Sequence, residues 1–176
     1  MSLKTRAIQV VVCSVVSVLA IVFNIDDGLD VSENGLRHIA NEEGCRLRAY
    51  QCSANVWTVG LGTTQGVNQN TEFTLEQAAQ SFVESVASAE KVVKRQIKHT
   101  PSQGEYDMMV SFVYNLGAGN FATSTLLKKF NQNDRAGACE QYPRWVFVNG
   151  KDCRLDVSNC AGIPKRRAIQ REVCLN

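Results

Sequence analysis

The stretch EGCRLRAYQCSANVWTVGLGTT, residues 43–64, decides how this chain is organised. Before it, apolar residues recur at helical spacing, with Ser32 as a candidate N-cap, and Gly44 predicts the end of that helix. From residue 48 to 64 the pattern changes to short extended pieces with glycine turns, which predicts a small hairpin region of two or three strands. Glu43 therefore lies where a helix gives way to a sheet.

The sequence after residue 64 is typical of a helical lobe. Thr74 and Ser102 are each followed three residues later by Gln or Glu, a pattern that predicts helix starts, and the first helix is expected to continue to about Lys94. Shorter helices are expected over residues 124–131, 135–142 and 165–174. The sequence thus predicts an α+β fold with a small sheet and a larger helical lobe, without an internal repeat or a second domain boundary.

Length and composition narrow the classes of protein. The chain has 176 residues, enough for one domain, and its 44% hydrophobic and 20% charged residues are near globular averages. The formal net charge is only +2 and there is no long basic run, so we expect no nucleic-acid partner. The cysteines lack CxxC spacing and a nearby histidine, so no metal is expected. We expect a monomer without a cofactor.

The amino-terminal segment predicts export. Residues 7–23 carry no charge, follow Lys4 and Arg6, and precede an acidic stretch, an order that places the amino end inside and the rest outside. As a helix these 17 residues would reach about 26 Å, which spans a hydrocarbon core of about 30 Å only marginally. A cleaved signal peptide is the alternative. Both interpretations export residues 25–176, where disulfides are then expected.

Seven cysteines are an odd number, so they cannot all pair within one chain. The last four allow three pairings. We expect Cys153 to pair with Cys160, because that bond closes a local loop, and Cys139 to pair with Cys174, which ties down the carboxyl end.

Three side chains of the opening stretch have the potential to hydrolyse a glycoside. Such hydrolysis needs two acid or base groups beside the bond and a hydroxyl that places water, and Glu43, Cys52 and Thr58 offer these. The alternatives are that Glu43 is simply solvated, or that Cys52 works with a histidine, His38 or His99, as in a cysteine peptidase.

The last predicted helix contains two arginines. Arg166 and Arg167 are adjacent and are expected on a solvated helix face. The alternative is that one of them meets an acidic residue in the core.

The opening stretch closely resembles the phage-type lysozymes of glycoside hydrolase family 24. Eight residues separate Glu43 from Cys52, and five separate Cys52 from Thr58. The other matching residues are Gly44, Arg46-Leu47 and Ala49-Tyr50. The resemblance continues in order through residues 107–131, 143–151 and 162–174. With the weak anchor in front, the whole chain resembles the signal-anchor-release (SAR) endolysins of tailed phages or prophages.

This resemblance implies a lysozyme-like fold and hydrolysis, with inversion, of the β-1,4 bond between N-acetylmuramic acid and N-acetylglucosamine in peptidoglycan. Matched by position, Glu43 is the general acid and Thr58 helps to hold the attacking water. Cys52 stands where aspartate is commoner, and a protonated thiol is a poor base; we still expect it to be catalytic. Two alternatives remain: a peptidoglycan-binding or lytic-transglycosylase-like protein, and a peptidase that uses Cys52.

The resemblance also implies a disulfide switch. A bond between Cys45 and Cys52 would consume the candidate catalytic thiol and keep the enzyme inactive. Once the anchor leaves the membrane, the Cys13 thiolate would displace Cys52 from Cys45, giving a Cys13–Cys45 bond and a free Cys52. The alternative is that Cys13 is merely a small apolar membrane residue.

The resemblance divides the chain into an anchor at residues 1–24, a linker at 25–31 and a lysozyme-like catalytic domain at 32–176. The expected partners are peptidoglycan and the host inner membrane. The expected location is that membrane, with a single pass and the catalytic domain in the periplasm, followed by release into the periplasm and lysis of the host cell.

Overall fold

The computed structural model describes residues 13–25, 28–51, 55–155 and 160–176. Within these ranges the chain forms seven α-helices and two small antiparallel hairpins. The first elements are α1 (Val15–Val22), α2 (Glu33–Glu43), β1 (Arg46–Gln51), β2 (Trp57–Gly60) and α3 (Leu75–Gln96). The helical part continues with α4 (Gln103–Ala122), α5 (Thr125–Asn131) and α6 (Arg135–Cys139). A 3-10 turn (Tyr142–Arg144), β3 (Phe147–Val148), β4 (Lys151–Asp152) and α7 (Gly162–Leu175) complete the fold.

The α+β class predicted from the sequence is confirmed. Strands β1 and β2 pair antiparallel, with Tyr50 opposite Thr58, and the ladder is irregular between Arg46 and Tyr50. The hairpin extends from the end of α2, while the other helices form the larger lobe. A small sheet therefore lies beside a helical lobe, as the glycine turns and helical periodicity indicate.

Side-chain caps define the two long helices. The hydroxyls of Thr74 and Ser102 accept hydrogen bonds from the third helical residue, whose own side chain returns a bond to the cap, so both predicted capping boxes form. Helix α4 is broken at Gly117, which has a φ of 83°. The caps explain why α3 and α4 begin where the sequence predicts.

Two helix boundaries differ from the prediction. Helix α7 begins at Gly162 rather than at residue 165, because a proline such as Pro164 is tolerated in the first turn, where backbone N–H groups have no partner within the helix. The helix predicted over residues 135–142 ends at Cys139, and a 3-10 turn containing Pro143 follows it. Pro143 has no backbone N–H to donate to the Cys139 carbonyl, so the α-helix cannot continue through it.

The core lies in the helical lobe, where α3 packs against α4. Phe112 of α4 is fully buried at its centre and packs against the rings of Phe121, Tyr142 and Trp145. The Trp145 ring meets Phe112 edge-on with centroids 5.0 Å apart. This aromatic group joins α4 to the 3-10 turn, and α7 packs against both of these elements.

Helix α1 comes from the apolar segment that the sequence predicts as an anchor. Its residues Val18, Leu19 and Val22 are buried, and the helix packs mainly on α3 and also on α2. A disulfide joins Cys13, just before α1, to Cys45, just after α2. The first part of the predicted anchor, residues 1–12, lies outside the described residues. In the part of the chain that is described, no helix is both long and apolar enough to cross a bilayer.

Two further disulfides lie in the helical lobe. Cys139 at the end of α6 is bonded to Cys174 of α7, and Cys153 is bonded to Cys160 across the loop after β4. Both are the pairs expected from the sequence, Cys153–Cys160 as a local loop and Cys139–Cys174 as a tie for the carboxyl end. The first bond holds the C-terminal helix against the lobe.

Candidate active site

Glu43 is the last residue of α2 and lies at the junction with the β1–β2 hairpin. Gly44 follows with a φ of 69°, a backbone conformation that suits glycine, and it ends the helix as the sequence predicts. The Glu43 side chain is 18% exposed, so the surrounding structure shields most of it. It is thus positioned at a partly sheltered edge between the two lobes.

A buried arginine holds the Glu43 carboxylate. Arg166 Nη1 of α7 donates a hydrogen bond to Glu43 Oε1 at 2.8 Å, and the arginine side chain is only 3% exposed. Its Nε and Nη2 have no hydrogen-bond partner among the described residues. The expectation of a solvated helix face is therefore wrong for Arg166, and the alternative of an acidic partner in the interior is right.

Arg167 is also buried rather than solvated, and it fixes α7 in place. Its guanidinium donates to the Trp145 carbonyl at 3.0 Å, to Gln170 Oε1 at 2.7 Å and to Asn115 Oδ1 at 2.6 Å. Burial, together with the charge of Arg166 beside it, lowers the pKa of Arg167 to about 10. These bonds join α7 to α4 and to the 3-10 turn, so the neighbouring Arg166 is held at a fixed place.

The loop after β2 approaches the other oxygen of Glu43. Gly62 has a φ of 94°, and a Cβ built on it would lie 3.2 Å from Glu43 Oε2. The Tyr114 hydroxyl donates to the Leu61 carbonyl and so ties this loop to α4. Burial and the nearby charge of Glu43 raise the pKa of Tyr114. A side chain at position 62 would be strained and would crowd the carboxylate, which explains the glycine.

Of the two other expected catalytic residues, the structure describes one. Thr58 lies on β2, is 4% exposed, and donates its hydroxyl to the Val56 carbonyl at 3.1 Å. That bond uses its proton and leaves its oxygen able to accept from a further donor, such as a water. Cys52 lies outside the described residues.

A polar cleft runs beside this site. It has a volume of about 630 Å³, and both Gly62 and Tyr114, the neighbours of Glu43, belong to its wall. Hydroxyl, amide and carboxylate groups make up much of the rest: Thr63, Thr64, Gln65, Ser81, Glu84, Ser85 and Ser88. Such groups suit a hydroxyl-rich ligand. Among the residues that are described, no group of His, Cys, Asp or Glu is arranged to hold a metal ion.

Comparison with known proteins identifies the family. The model of the phage lysozyme family matches residues 40–170, which include Glu43, Thr58 and Arg166. The chain belongs to the phage lysozyme family. It is a glycoside hydrolase with a lysozyme-like fold, as the sequence resemblance implies. Membership of this family does not support the alternative of a cysteine peptidase.

Two relatives show how far the likeness extends. An endolysin of Acyrthosiphon pisum secondary endosymbiont phage 1 is 40% identical over 145 residues, which cover 81% of this phage lysozyme and 96% of the relative. A SAR-endolysin of Enterobacteria phage PA-2 is 37% identical over 134 residues, 76% of this chain and 77% of the relative.

The fold is also similar to that of P1 phage endolysin Lyz, which has been solved in two forms. Its active form matches with a TM-score of 0.79 at 25% identity, over 93% of this chain and 94% of Lyz. Its secreted inactive form matches with a TM-score of 0.55 at 25% identity, over 82% of this chain and 95% of Lyz. The structure of this phage lysozyme is therefore more similar to the active form.

His38 is a further ionisable residue near the site. It lies on α2, five positions before Glu43, and its Nε2 atom is buried without a hydrogen-bond partner in the described part of the chain. Burial lowers its pKa from 6.5 to about 4, and the charges of Arg166 and Arg167 contribute in the same direction. His38 is therefore neutral at physiological pH. His99 lies at the surface, where a ring nitrogen is 3.2 Å from the Asn131 carbonyl.

We predict that His38 makes the lysozyme less stable in mild acid. Between pH 6.5 and about 4 the unfolded chain binds a proton at His38 and the folded chain does not, so the free energy of unfolding falls as the pH is lowered through this window. Above pH 6.5 His38 is neutral in both states, and it no longer changes the free energy of unfolding with pH. Urea unfolding measured above and inside the window should show a smaller fall for His38→Gln than for the wild type.

His99→Gln is the matched control for this experiment, because it removes the exposed histidine. It should keep the pH dependence of the wild type. If the free energy of unfolding falls equally with pH in the wild type and in His38→Gln, His38 is not the cause of the acid sensitivity.

Proposed function

We propose that this phage lysozyme is an endolysin, a muramidase that cleaves the β-1,4 bond between N-acetylmuramic acid and N-acetylglucosamine and thereby lyses the host cell. The observation that carries the proposal is the placement of Glu43. A buried arginine holds one of its oxygens, and the other faces the loop that lines a polar cleft. A carboxyl held in this way can deliver a proton to a bound sugar.

The two oxygens of Glu43 have different roles. Oε1 accepts a hydrogen bond from Arg166, so the proton of the acid form belongs on Oε2, which faces Gly62 at the cleft. From there it passes to the leaving glycosidic oxygen as the bond breaks. Arg166 is thus a positioning residue, and its charge stabilises the carboxylate that remains after proton transfer.

The attacking water must approach the opposite face of the sugar in an inverting enzyme. We assign Thr58 to hold this water, since its oxygen remains able to accept a hydrogen bond. Cys52 is the proposed partner of Thr58, by the resemblance of its position to the family pattern. In an inverting enzyme the acid and this second group are separated by about 6.5–9.5 Å, which leaves room for the water.

The chemistry of the products tests this proposal. The purified full chain should release reducing sugar ends from peptidoglycan, as expected for hydrolysis of a glycosidic bond. Anhydro-sugar ends would instead identify a lytic transglycosylase, and new amino groups a peptidase. Absence of all three products, with binding retained, would indicate a protein that only binds peptidoglycan.

We also propose that the enzyme begins as a membrane protein. Residues 1–24 form the anchor, 25–31 the linker and 32–176 the catalytic domain, which faces the periplasm before and after release from the host inner membrane. One relative is a SAR-endolysin by name. The packing of α1 on α3, with Val18 and Val22 buried, offers the released anchor an apolar site outside the bilayer.

The disulfide switch completes the proposal. In the structure Cys45 is bonded to Cys13, so it is not available to Cys52. The fold is also more similar to the active than to the inactive form of P1 endolysin Lyz. Both observations support exchange as the activating step: the Cys13 thiolate attacks Cys45, a new sulfur–sulfur bond forms, and Cys52 leaves as a thiolate without a net change of oxidation state.

A further inference from the structure

Two buried carboxylates fix the chain that joins the anchor to the enzyme. Glu90 Oε1 of α3 accepts hydrogen bonds from the backbone N–H groups of Asp30 and Val31, both at 2.8 Å. Asp107 of α4 accepts from the Ser32 N–H at 3.0 Å and from the Ser32 hydroxyl. Both carboxylate residues are almost completely buried. We call this set of contacts the linker clamp.

The linker clamp does not depend on where α1 lies. Its bonds join α3 and α4 to residues 30–32, and Lys94 Nζ reinforces it at 2.7 Å from Asp30. Opening the clamp would leave two carboxylates buried without their donors, which is strongly unfavourable. None of these bonds involves a residue of α1, so the clamp can stay closed when α1 is in the bilayer.

A closed clamp keeps the enzyme close to the membrane. Only residues 24–29 separate α1 and its C-cap from the clamp. Six extended residues span at most about 20 Å. The surface around Asp30 must therefore face the lipid headgroups while the anchor is inserted.

The tether itself carries Asp26 and Asp27, whereas the surface of the domain beside the clamp carries a cluster of cations. The last turns of α3 carry Lys91, Lys94 and Arg95, and Lys98 follows two residues after the helix ends. All four are exposed, and we call them the basic end of α3. Lys94 bonds Asp30, and Lys98 lines the same hollow beside the clamp as Asp30 does. Within the ranges that are described, Lys91, Arg95 and Lys98 form no ion pair with a carboxylate. Their charges stand out, because the chain after Arg6 is formally neutral.

We propose that the basic end of α3 binds the anionic phospholipid headgroups of the bilayer while the anchor is inserted. This inference rests on the anchored state proposed above. The cations and the lipid phosphates are complementary, and the short tether keeps them within reach of one another. The contact holds the domain in one orientation on the membrane until the anchor is released.

Vesicle binding by the full chain tests the proposal. The Cys13–Cys45 form is the suitable sample, because that bond ties α1 to α2 and keeps it from inserting. It should sediment with vesicles of equimolar phosphatidylglycerol and phosphatidylcholine, less so in high salt, and not with phosphatidylcholine alone. The triple variant Lys91→Gln, Arg95→Gln and Lys98→Gln should bind the anionic vesicles more weakly, with a loss of affinity of about tenfold or more.

The matched control removes three other exposed basic residues: Arg144→Gln, Lys151→Gln and Lys165→Gln. It has the same net charge as the test variant and should bind like the wild type. Equal binding by the wild type and the test variant would overturn the proposal, as would an equal loss in the control or equal binding to neutral vesicles.

Two further measurements distinguish a lipid contact from a contact with the cell wall and from a catalytic role. Binding to isolated peptidoglycan sacculi should not change in the test variant; a parallel loss would identify a wall polymer as the partner and overturn the lipid assignment. Release of reducing ends should also be unchanged, because the basic end of α3 is not part of the catalytic site. If the wild type itself releases none, the muramidase proposal fails while the vesicle result still stands.

Discussion

Glu43→Gln is expected to reduce the release of reducing ends from peptidoglycan by about a hundredfold to ten-thousandfold, the range attributed to a general acid. The carboxamide cannot donate a proton to the leaving oxygen, whereas its carbonyl oxygen can still accept the bond from Arg166. The side chain should therefore stay in place while the chemistry is lost. The measurement is the rate of reducing-end formation with the purified full chain in its Cys13–Cys45 form.

Glu42→Gln is the matched control, since it makes the same chemical change one residue earlier in α2. Glu42 forms no hydrogen bond or ion pair with Arg166 in the described structure, and its variant should keep most of the activity. Thermal unfolding should show both variants folded. An active Glu43→Gln enzyme, or an equal loss in Glu42→Gln, would contradict the assignment of Glu43 as the acid.

Local features of this lysozyme could be predicted from the sequence because their causes are local. Capping residues and helical periodicity placed the starts of α3 and α4, since Thr74 and Ser102 bond groups only three residues away. Gly44 ends α2 because its positive φ suits glycine. The position of Glu43 at the junction of helix and hairpin follows from the same short-range rules.

The surroundings of Arg166 and His38 could not be predicted. Arg166 meets Glu43 across 123 residues of sequence, and the packing of both α2 and α7 against α4 brings the two together. An Arg-Arg pair on a helix is usually solvated, so nothing in the local pattern indicates that both side chains are buried. His38 is similar: its burial depends on elements distant in sequence, and its lowered pKa follows from that burial.

The apolar segment was ambiguous for a different reason. The residues that would face lipid in a membrane helix, such as Val18, Leu19 and Val22, are those that pack in the protein core here. Lipid and protein interiors select the same side chains, so the sequence predicts an apolar environment without choosing between them. Cys13 distinguishes the bilayer from the protein core chemically. Its thiol can exchange only where a partner such as Cys45 is within reach, and that is the case when α1 packs on the protein.

Cys13→Ser is therefore expected to give an exported lysozyme that remains inactive in an oxidising medium, with a loss comparable to that of Glu43→Gln. A serine hydroxyl cannot displace a thiolate from a disulfide, so the proposed Cys45–Cys52 bond would persist after the anchor leaves the membrane. Reducing-end release measures the activity, and mass spectrometry of non-reduced peptides should find Cys45 joined to Cys52 in place of Cys13.

The double variant Cys13→Ser, Cys45→Ser separates the switch from a structural role. Without Cys45 there is no partner to hold Cys52, so activity should return even though the Cys13–Cys45 crosslink is absent. If that crosslink only stabilised the packing of α1 on α3, the double variant would be as inactive as the single one, and the exchange mechanism would be wrong. Cys153→Ser with Cys160→Ser removes a disulfide distant in sequence from this exchange and should leave the switch working, because Cys13 and Cys45 are untouched.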